Sequence, residues 1–355
     1  KKRILRRLVE REAHRRGLRT SDAACKALQV RQAAESSLAE FIKQSWYVVE
    51  PVTPLDWGPH LDAICLHLEA VTAGTIQNLL ILIPPGTLKS LSVNVFWPAW
   101  TWATQPSVRW LFAANDLSLV TRDAVACRRL IDSDWYRANW GHVYQLTGDQ
   151  NMKTWFENTR RGYRTSTTVG SSATGKKGSL LVVDDPHDAR KVKSAADRDG
   201  VREWWDQAFC NRVEDYRTGR RVVIGQRTHP DDLQGHVMAS GDFEVLRLAE
   251  EFVKAKACST SFGWCDWRTE DGELLRPTRF GPEQVAQEKK RLASGYSSQH
   301  QQDPVPDQGK AFKREWFRTY RLLSEGVFGK GEFVLGERHY TWDDCWRFLT
   351  CDPAA

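Results

Sequence analysis

A lysine followed by a hydroxyl residue, and two adjacent acids that end an apolar run, are the side chains here best suited to chemistry. Lys89-Ser90 closes the turn-rich stretch Pro84-Pro85-Gly86-Thr87-Leu88-Lys89-Ser90, and Asp184-Asp185 closes Leu180-Leu181-Val182-Val183. A triphosphate needs a loop of backbone N–H donors, a lysine for its outer phosphates and a hydroxyl on Mg²⁺. Pro85, Gly86, Thr87, Leu88, Lys89 and Ser90 are therefore the candidate nucleotide-binding residues. Lys89 would take the phosphates, Ser90 and Asp184 the Mg²⁺, and Asp185 the attacking water, which makes Lys89 and Asp185 the candidate catalytic pair. The loop is imperfect: Leu88 stands in the usual glycine position before the lysine, and Gly86 supplies flexibility two residues earlier. A third group, Gln226, Arg227 and Thr228, follows the apolar run Arg221–Ile224 and offers an amide, a cation and a hydroxyl that could sense the γ-phosphate and couple its loss to movement.

Each group also has a plain reading. A Lys-Ser dipeptide is common, Asp185-Pro186 can simply end a strand in a polar turn, and Gln226–Thr228 can be a solvent-facing turn. The elements around them decide. Leu79–Ile83 is continuously apolar, as a strand buried on both faces of a parallel sheet must be, and it runs directly into the glycine-bearing turn, with a helix following from Leu91. Val108–Ala113, Leu180–Val183 and Arg221–Ile224 are further short apolar runs separated by helical or irregular stretches. That alternation predicts an α/β domain with a mostly parallel sheet, whose strand ends gather ligands at one edge. Residues 60–71 and 283–292 are predicted helices.

Composition bounds the alternatives. The 355 residues carry a net charge of +6, with 41% hydrophobic and 27% charged residues, ordinary for a globular chain and compatible with a phosphate-rich partner without proving one. No apolar run approaches the roughly 18 residues that a membrane span requires. The eight cysteines form no close CxxC pair, which argues for reduced thiols and against a zinc site. Residues 1–44 read as an N-terminal helical segment or, equally, a basic arm. Residues 45–250 are the expected nucleotide-binding domain, 251–320 a smaller linker or lid, and 321–355 the opening of a further domain.

The ordered set of motifs resembles the large terminase subunit of tailed bacteriophages, over roughly residues 45–355. The segments that carry the resemblance are Pro84–Ser90, Val182–Pro186 and Gln226-Arg227-Thr228-His229-Pro230-Asp231-Asp232-Leu233. Ser133–Tyr136, Lys153–Thr159 and Tyr296–Pro304 are also similar. The resemblance implies an ASCE-type P-loop NTPase that uses ATP and Mg²⁺ to drive double-stranded DNA into a procapsid, joined to an RNase H-like nuclease that cuts concatemers. Its implied partners are the portal protein of the procapsid, the small terminase subunit and further copies of the chain in a ring, a pentamer by resemblance. Its implied place is the host cytoplasm, docked transiently at the portal vertex, with no membrane. Asp352, ending the run Arg347–Asp352, matches the first metal-binding acid of that nuclease; the remaining acids would lie beyond Ala355, so this chain is expected not to cut DNA.

Three departures from the family's pattern stand out. Gly86 occupies a place often held by arginine, Leu88 a place often held by glycine, and Asp185 a place often held by glutamate. A ring motor also needs a cation from a neighbouring subunit, for which Arg160, Arg161, Arg164, Lys176 and Lys177 are candidates. Trp46, Tyr47 and Trp57 could stack on adenine or pack in the core, and Arg128-Arg129 and Lys289-Lys290-Arg291 could follow DNA phosphates or be exposed helix faces. The rival expectations are a helicase-like DNA-dependent ATPase and a non-hydrolysing scaffold that binds DNA or a capsid protein.

Overall fold

The computed structural model describes residues 22–188, 190–305, 320–322, 332–335 and 338–341. The chain divides into two compact units, Lys1–Val305 and Pro306–Ala355.

In the first unit, α1 (Asp22–Ser36) is followed by α2 (Leu38–Val49), whose start is fixed by the Ser37 hydroxyl accepting from the Glu40 N–H. Leu38, Phe41, Ile42 and Trp46 recur at helical spacing along α2 and are buried. The boundary expected at residue 44 falls inside this helix, because its apolar stripe continues across that point. α3 (Pro59–Ala73) has proline in its first turn, where the missing N–H costs nothing, and ends on Gly74 at φ +82°. β1 (Asn78–Leu82) leads through the turn 83–88 into a long helix, α4. This begins as Lys89–Leu91, widens into a π-helical turn over Ser92–Phe96 and continues as Trp97–Thr104. Then come β2 (Trp110–Ala114), α5 (Leu117–Asp132), α6 (Asp134–Trp140), β3 (Leu146–Asn151), β4 (Trp155–Asn158), β5 (Tyr163–Thr168) and β6 (Leu180–Asp184). α7 (Ala195–Glu203) runs into a π-helical stretch, Trp204–Phe209, and is followed by β7 (Arg220–Gly225), α8 (Leu233–Ser240), β8 (Glu244–Arg247), α9 (Pro282–Leu292) and α10 (Ser294–Gln299).

The eight strands form one sheet in the order β3-β4-β5-β2-β6-β7-β1-β8. It is parallel from β5 to β8, with β3 and β4 added antiparallel at one edge. Alternation along the strands divides its core in two. Leu79, Ile81, Trp110, Phe112, Val182 and Ile224 point to the face that carries α2 to α5. Leu80, Leu82, Leu111, Val183 and Val223 point to the other, where Trp204, Trp205, Phe209, Leu233 and Val237 cover them. Both faces are thus dry, which is why β1, β2 and β6 are apolar at nearly every position. The expected fold class, a mostly parallel sheet flanked by helices, is the one observed. The boundary expected at residue 250 falls inside the first unit: β8 pairs with β1, and the chain after it packs back over the same sheet edge.

The second unit contains an antiparallel sheet, β9 (Tyr320–Leu322), β10 (Glu332–Leu335) and β11 (Arg338–Thr341), with β10 in the middle. The strand expected over Arg347–Asp352, and Asp352 with it, lie outside the described residues. Among the described residues no helix is long and apolar enough to cross a membrane.

Candidate nucleotide site

Parallel pairing sets the geometry of the site. β7 lies between β1 and β6, with Leu82 opposite Gly225 and Asp184 opposite Ile224. The three strands therefore end together, and the turn after β1 meets the acids after β6 although a long stretch of chain separates them. Lys89 Nζ and Asp185 Oδ1 are 2.9 Å apart. The sequence expectation that these two segments converge is met by this contact.

The turn is shaped by two left-handed residues, Gly86 at φ +73° and Leu88 at φ +61°. Glycine adopts that conformation freely, whereas leucine carries a strain of about 1 kcal/mol there, and the side chain of Leu88 offsets part of it by packing against the core. Thr87 Oγ1 donates to the Pro84 carbonyl at 2.9 Å, closing the turn, and Lys89 begins the helix. Asp185 is also left-handed, φ +41°, with its N–H bonded to the Ile224 carbonyl. That bend directs its carboxylate over the end of β7, where Oδ1 also lies 3.4 Å from the Gln226 N–H.

Asp184 is buried. Oδ2 accepts from Asn94 Nδ2 at 2.7 Å, and Oδ1 has no hydrogen-bond partner. Burial, then the neighbouring charge of Asp185, pushes its carboxyl well above the usual carboxylate range, while Lys89 and the Ser90 hydroxyl oppose that rise. A cation beside Oδ1 would relieve both causes, so the donor set fits a Mg²⁺ held by Ser90, Asp184, phosphate oxygens and water. Among the described residues no group of three or more His, Cys, Asp or Glu could cage an ion without such outside ligands.

Several residues at the site carry no signal in the motif pattern. Asn94, four residues after Ser90 on α4, bridges Asp184 and Asp123. Asp123 stands out only as an acid on the apolar stripe of α5, between Val120 and Cys127. Arg276 comes from far along the chain. Its guanidinium donates to the carbonyls of Gly86 (2.6 Å) and Pro85 (3.3 Å) and pairs with buried Glu250 at 3.1 Å. Buried His60 lies behind the turn, close to Thr87, and burial followed by the Arg276 charge lowers its pKa to about 4.

The other sequence candidates divide. Gln226 and Thr228 line a cleft together with Asp185, Asn115 and His187. Arg227 does not: its side chain is buried, holding Asp232 at 2.9 Å, and its N–H is bonded to Gln302 Oε1. Trp46 donates to the Thr53 carbonyl and stacks on Phe96, and Trp57 donates to Asp62 beneath Lys43, whereas Tyr47 is exposed. Of the five cations considered for a neighbouring subunit, Arg164 is excluded. It is fully buried, donating to Ser166 Oγ and the Asn94 carbonyl and lying 4.1 Å from the centre of the Phe112 ring. Arg161 is exposed and pairs with Glu157. Among the cations considered for DNA, Arg128 bonds Asn151, Lys289 bonds Glu251 and Arg291 bonds Glu288.

No family model matches the chain, and no curated protein matches it. Among solved structures it is similar to the ATPase domain of the large terminase of Thermus phage P74-26, at 11% identity and a TM-score of 0.42, over 73% of this chain and 97% of that one. It is also similar to the HK97 bacteriophage large terminase, at 12% identity and 0.40, over 62% of this chain and 44% of that one. A third is the large terminase of a thermophilic bacteriophage in complex with ADP, at 8% and 0.39, over 77% and 67%. The chain thus spans less than half the length of the HK97 protein.

Proposed function

We propose that the chain is an ATP-hydrolysing P-loop motor acting on double-stranded DNA, the packaging ATPase of a large terminase. The observation that carries the ATPase reading is the 2.9 Å approach of Lys89 to Asp185 across the ends of β1 and β6, beside a buried acid with a free oxygen. In the proposed cycle the triphosphate replaces Asp185 as the partner of Lys89, and the turn 84–90 wraps it with backbone N–H groups. Ser90 and Asp184 hold Mg²⁺, which neutralises phosphate charge when bound. Asp185, released from Lys89, accepts a hydrogen bond from the attacking water and orients it. Gln226 and Thr228 face the same cleft and are the proposed sensors of the outer phosphate; Arg227 supports them by holding Asp232.

The DNA part of the proposal rests on the order of the motifs and on exposed cations such as Arg129 and Lys290, whose phosphate contacts would be independent of sequence and weakened by salt. Docking on a portal, a ring of copies and a small terminase partner belong to the same proposal, as does nuclease activity for a longer chain that supplies acids beyond Asp352.

Steady-state ATPase assays with and without duplex DNA test it. The wild type is expected to turn over ATP. Lys89→Ala should abolish turnover and weaken nucleotide binding, while Asp185→Asn should slow turnover about 10²-fold or more and largely spare binding. Undiminished turnover in the Lys89 variant would refute the site. Strand displacement by the wild type would favour a helicase, and nucleotide binding without turnover a scaffold.

A further inference from the structure

At the nucleotide site a cavity is lined on one side by Ser90, Asn94, Asp123, Arg164, Asp184 and Asp185, and on the other by apolar residues of β2 and α5. Asn94 links two of its acids. One nitrogen, Nδ2, donates to Asp184 Oδ2 at 2.7 Å and to Asp123 Oδ2 at 3.0 Å, while Oδ1 of Asn94 has no partner. The orientation of that amide is dictated by its neighbours: reversed, its oxygen would face two carboxylate oxygens. Asp123 is pinned in turn by Arg122, whose Nε donates to Oδ1 at 2.8 Å. The backbone of Asn94 is held as well. It lies inside the π-helical turn Ser92–Phe96, and its carbonyl accepts from the fully buried Arg164 at 3.3 Å. A π turn strains a helix and is kept where it places a side chain that a regular turn would not.

We propose that Asn94 is a positioning residue for the metal side of the nucleotide site: its amide clamps one oxygen of Asp184 and thereby dedicates the other, Oδ1, to the ion. Without the clamp the carboxylate is free to rotate, and the ion loses an oriented ligand. The idea rests on the Mg-nucleotide reading above and adds a residue to it. It also accounts for Asp123, an acid in the core whose bond to Asn94 fixes the amide from the far side.

The test is equilibrium binding of a fluorescent ATP analogue with MgCl₂ and with EDTA, expressed as the ratio of the two affinities. For the wild type, Mg²⁺ should tighten binding. Asn94→Ala should reduce that tightening about tenfold and leave the EDTA affinity within about twofold, as expected for a lost metal-ligand orientation. A merely structural role would weaken both affinities alike and leave the ratio unchanged, and that result overturns the proposal. If Asn94→Ala does not fold, Asn94→Ser keeps one donor in the cavity and carries the same comparison, with a smaller loss of the ratio expected and an unchanged ratio again overturning it. A wild type that binds no nucleotide, or binds it without regard to Mg²⁺, removes the site itself and this inference with it.

Discussion

In the proposed cycle Asp185 serves two partners in turn, and its neighbours leave it little room. Its carboxylate passes over Gly225 so closely that a Cβ built there would lie 2.9 Å from Oδ1 and 2.8 Å from Gln234 Nε2. Both contacts are with side-chain ends, so the backbone can survive a methyl group, but the carboxylate must move aside. Gly225→Ala is therefore expected to cut ATP turnover roughly 10- to 100-fold, in line with the cost of misplacing a reacting group by about 1 Å. Nucleotide affinity should stay within about threefold, because in the proposed cycle the bound phosphates take Lys89 from Asp185 and the turn itself is untouched. Turnover equal to wild type would mean that Asp185 does not hold the water. A different economy governs Asp184. It is buried beside a second acid, an arrangement that pure folding disfavours and that a cation at its unpaired oxygen would relieve.

Among the elements, the turn after β1 is where local sequence and distant chain meet. Its N–H groups come from the motif itself, but two of its carbonyls are held by Arg276, which also neutralises the buried Glu250. Arg276→Ala removes both functions at once. It strands a buried carboxylate, which should destabilise the fold by about 3–5 kcal/mol, and it loosens the turn. Arg276→Ala with Glu250→Gln separates the two: denaturant melts should recover most of the stability, while nucleotide affinity stays reduced. Full recovery of affinity would show that Arg276 acts only as a counter-ion. The same contrast explains what the sequence made legible. β1, β2, β6 and β7 were readable because strands buried on both faces are continuously apolar, and the turn 84–88 was readable as a turn because its residue types are local. β4 and β5 were not: Trp155–Asn158 is a four-residue run of mixed type, Tyr163–Thr168 is polar by composition, and Arg164, Thr165 and Ser166 are buried within a sheet that only long-range pairing defines. Arg276 and Glu250 carry no periodicity or spacing at all, so only the folded chain brings them to the turn.

At the scale of the whole molecule, burial of ionisable groups makes stability depend on pH, and the contributions oppose one another. His60 and His187 are buried, and burial, reinforced by nearby arginines, lowers each pKa from 6.5 to about 4; Asp232 partly opposes this at His187. His187 must stay neutral to accept the Leu233 N–H on Nε2 at 2.7 Å. Between pH 6.5 and 4 the unfolded chain binds protons that the folded chain refuses, so these residues stabilise the fold above pH 6.5 and that stability is lost as pH falls towards 4. The loss is roughly 3 kcal/mol for each histidine at the acid limit. Asp184 acts with the opposite sign: its raised pKa means that the folded state takes up a proton before the unfolded one, so acid stabilises it. Burial also lowers the pKa of His67 and raises that of Glu69, so three histidines stand against two carboxyls, which should leave a net loss on acidification. Urea midpoints measured from about pH 7 to about pH 4 should fall for the wild type. They should fall more steeply for Asp184→Asn, which removes one opposing group, and flatten for the double variant His60→Gln, His187→Gln. A double variant that keeps the wild-type slope would place the titrating groups elsewhere in the fold.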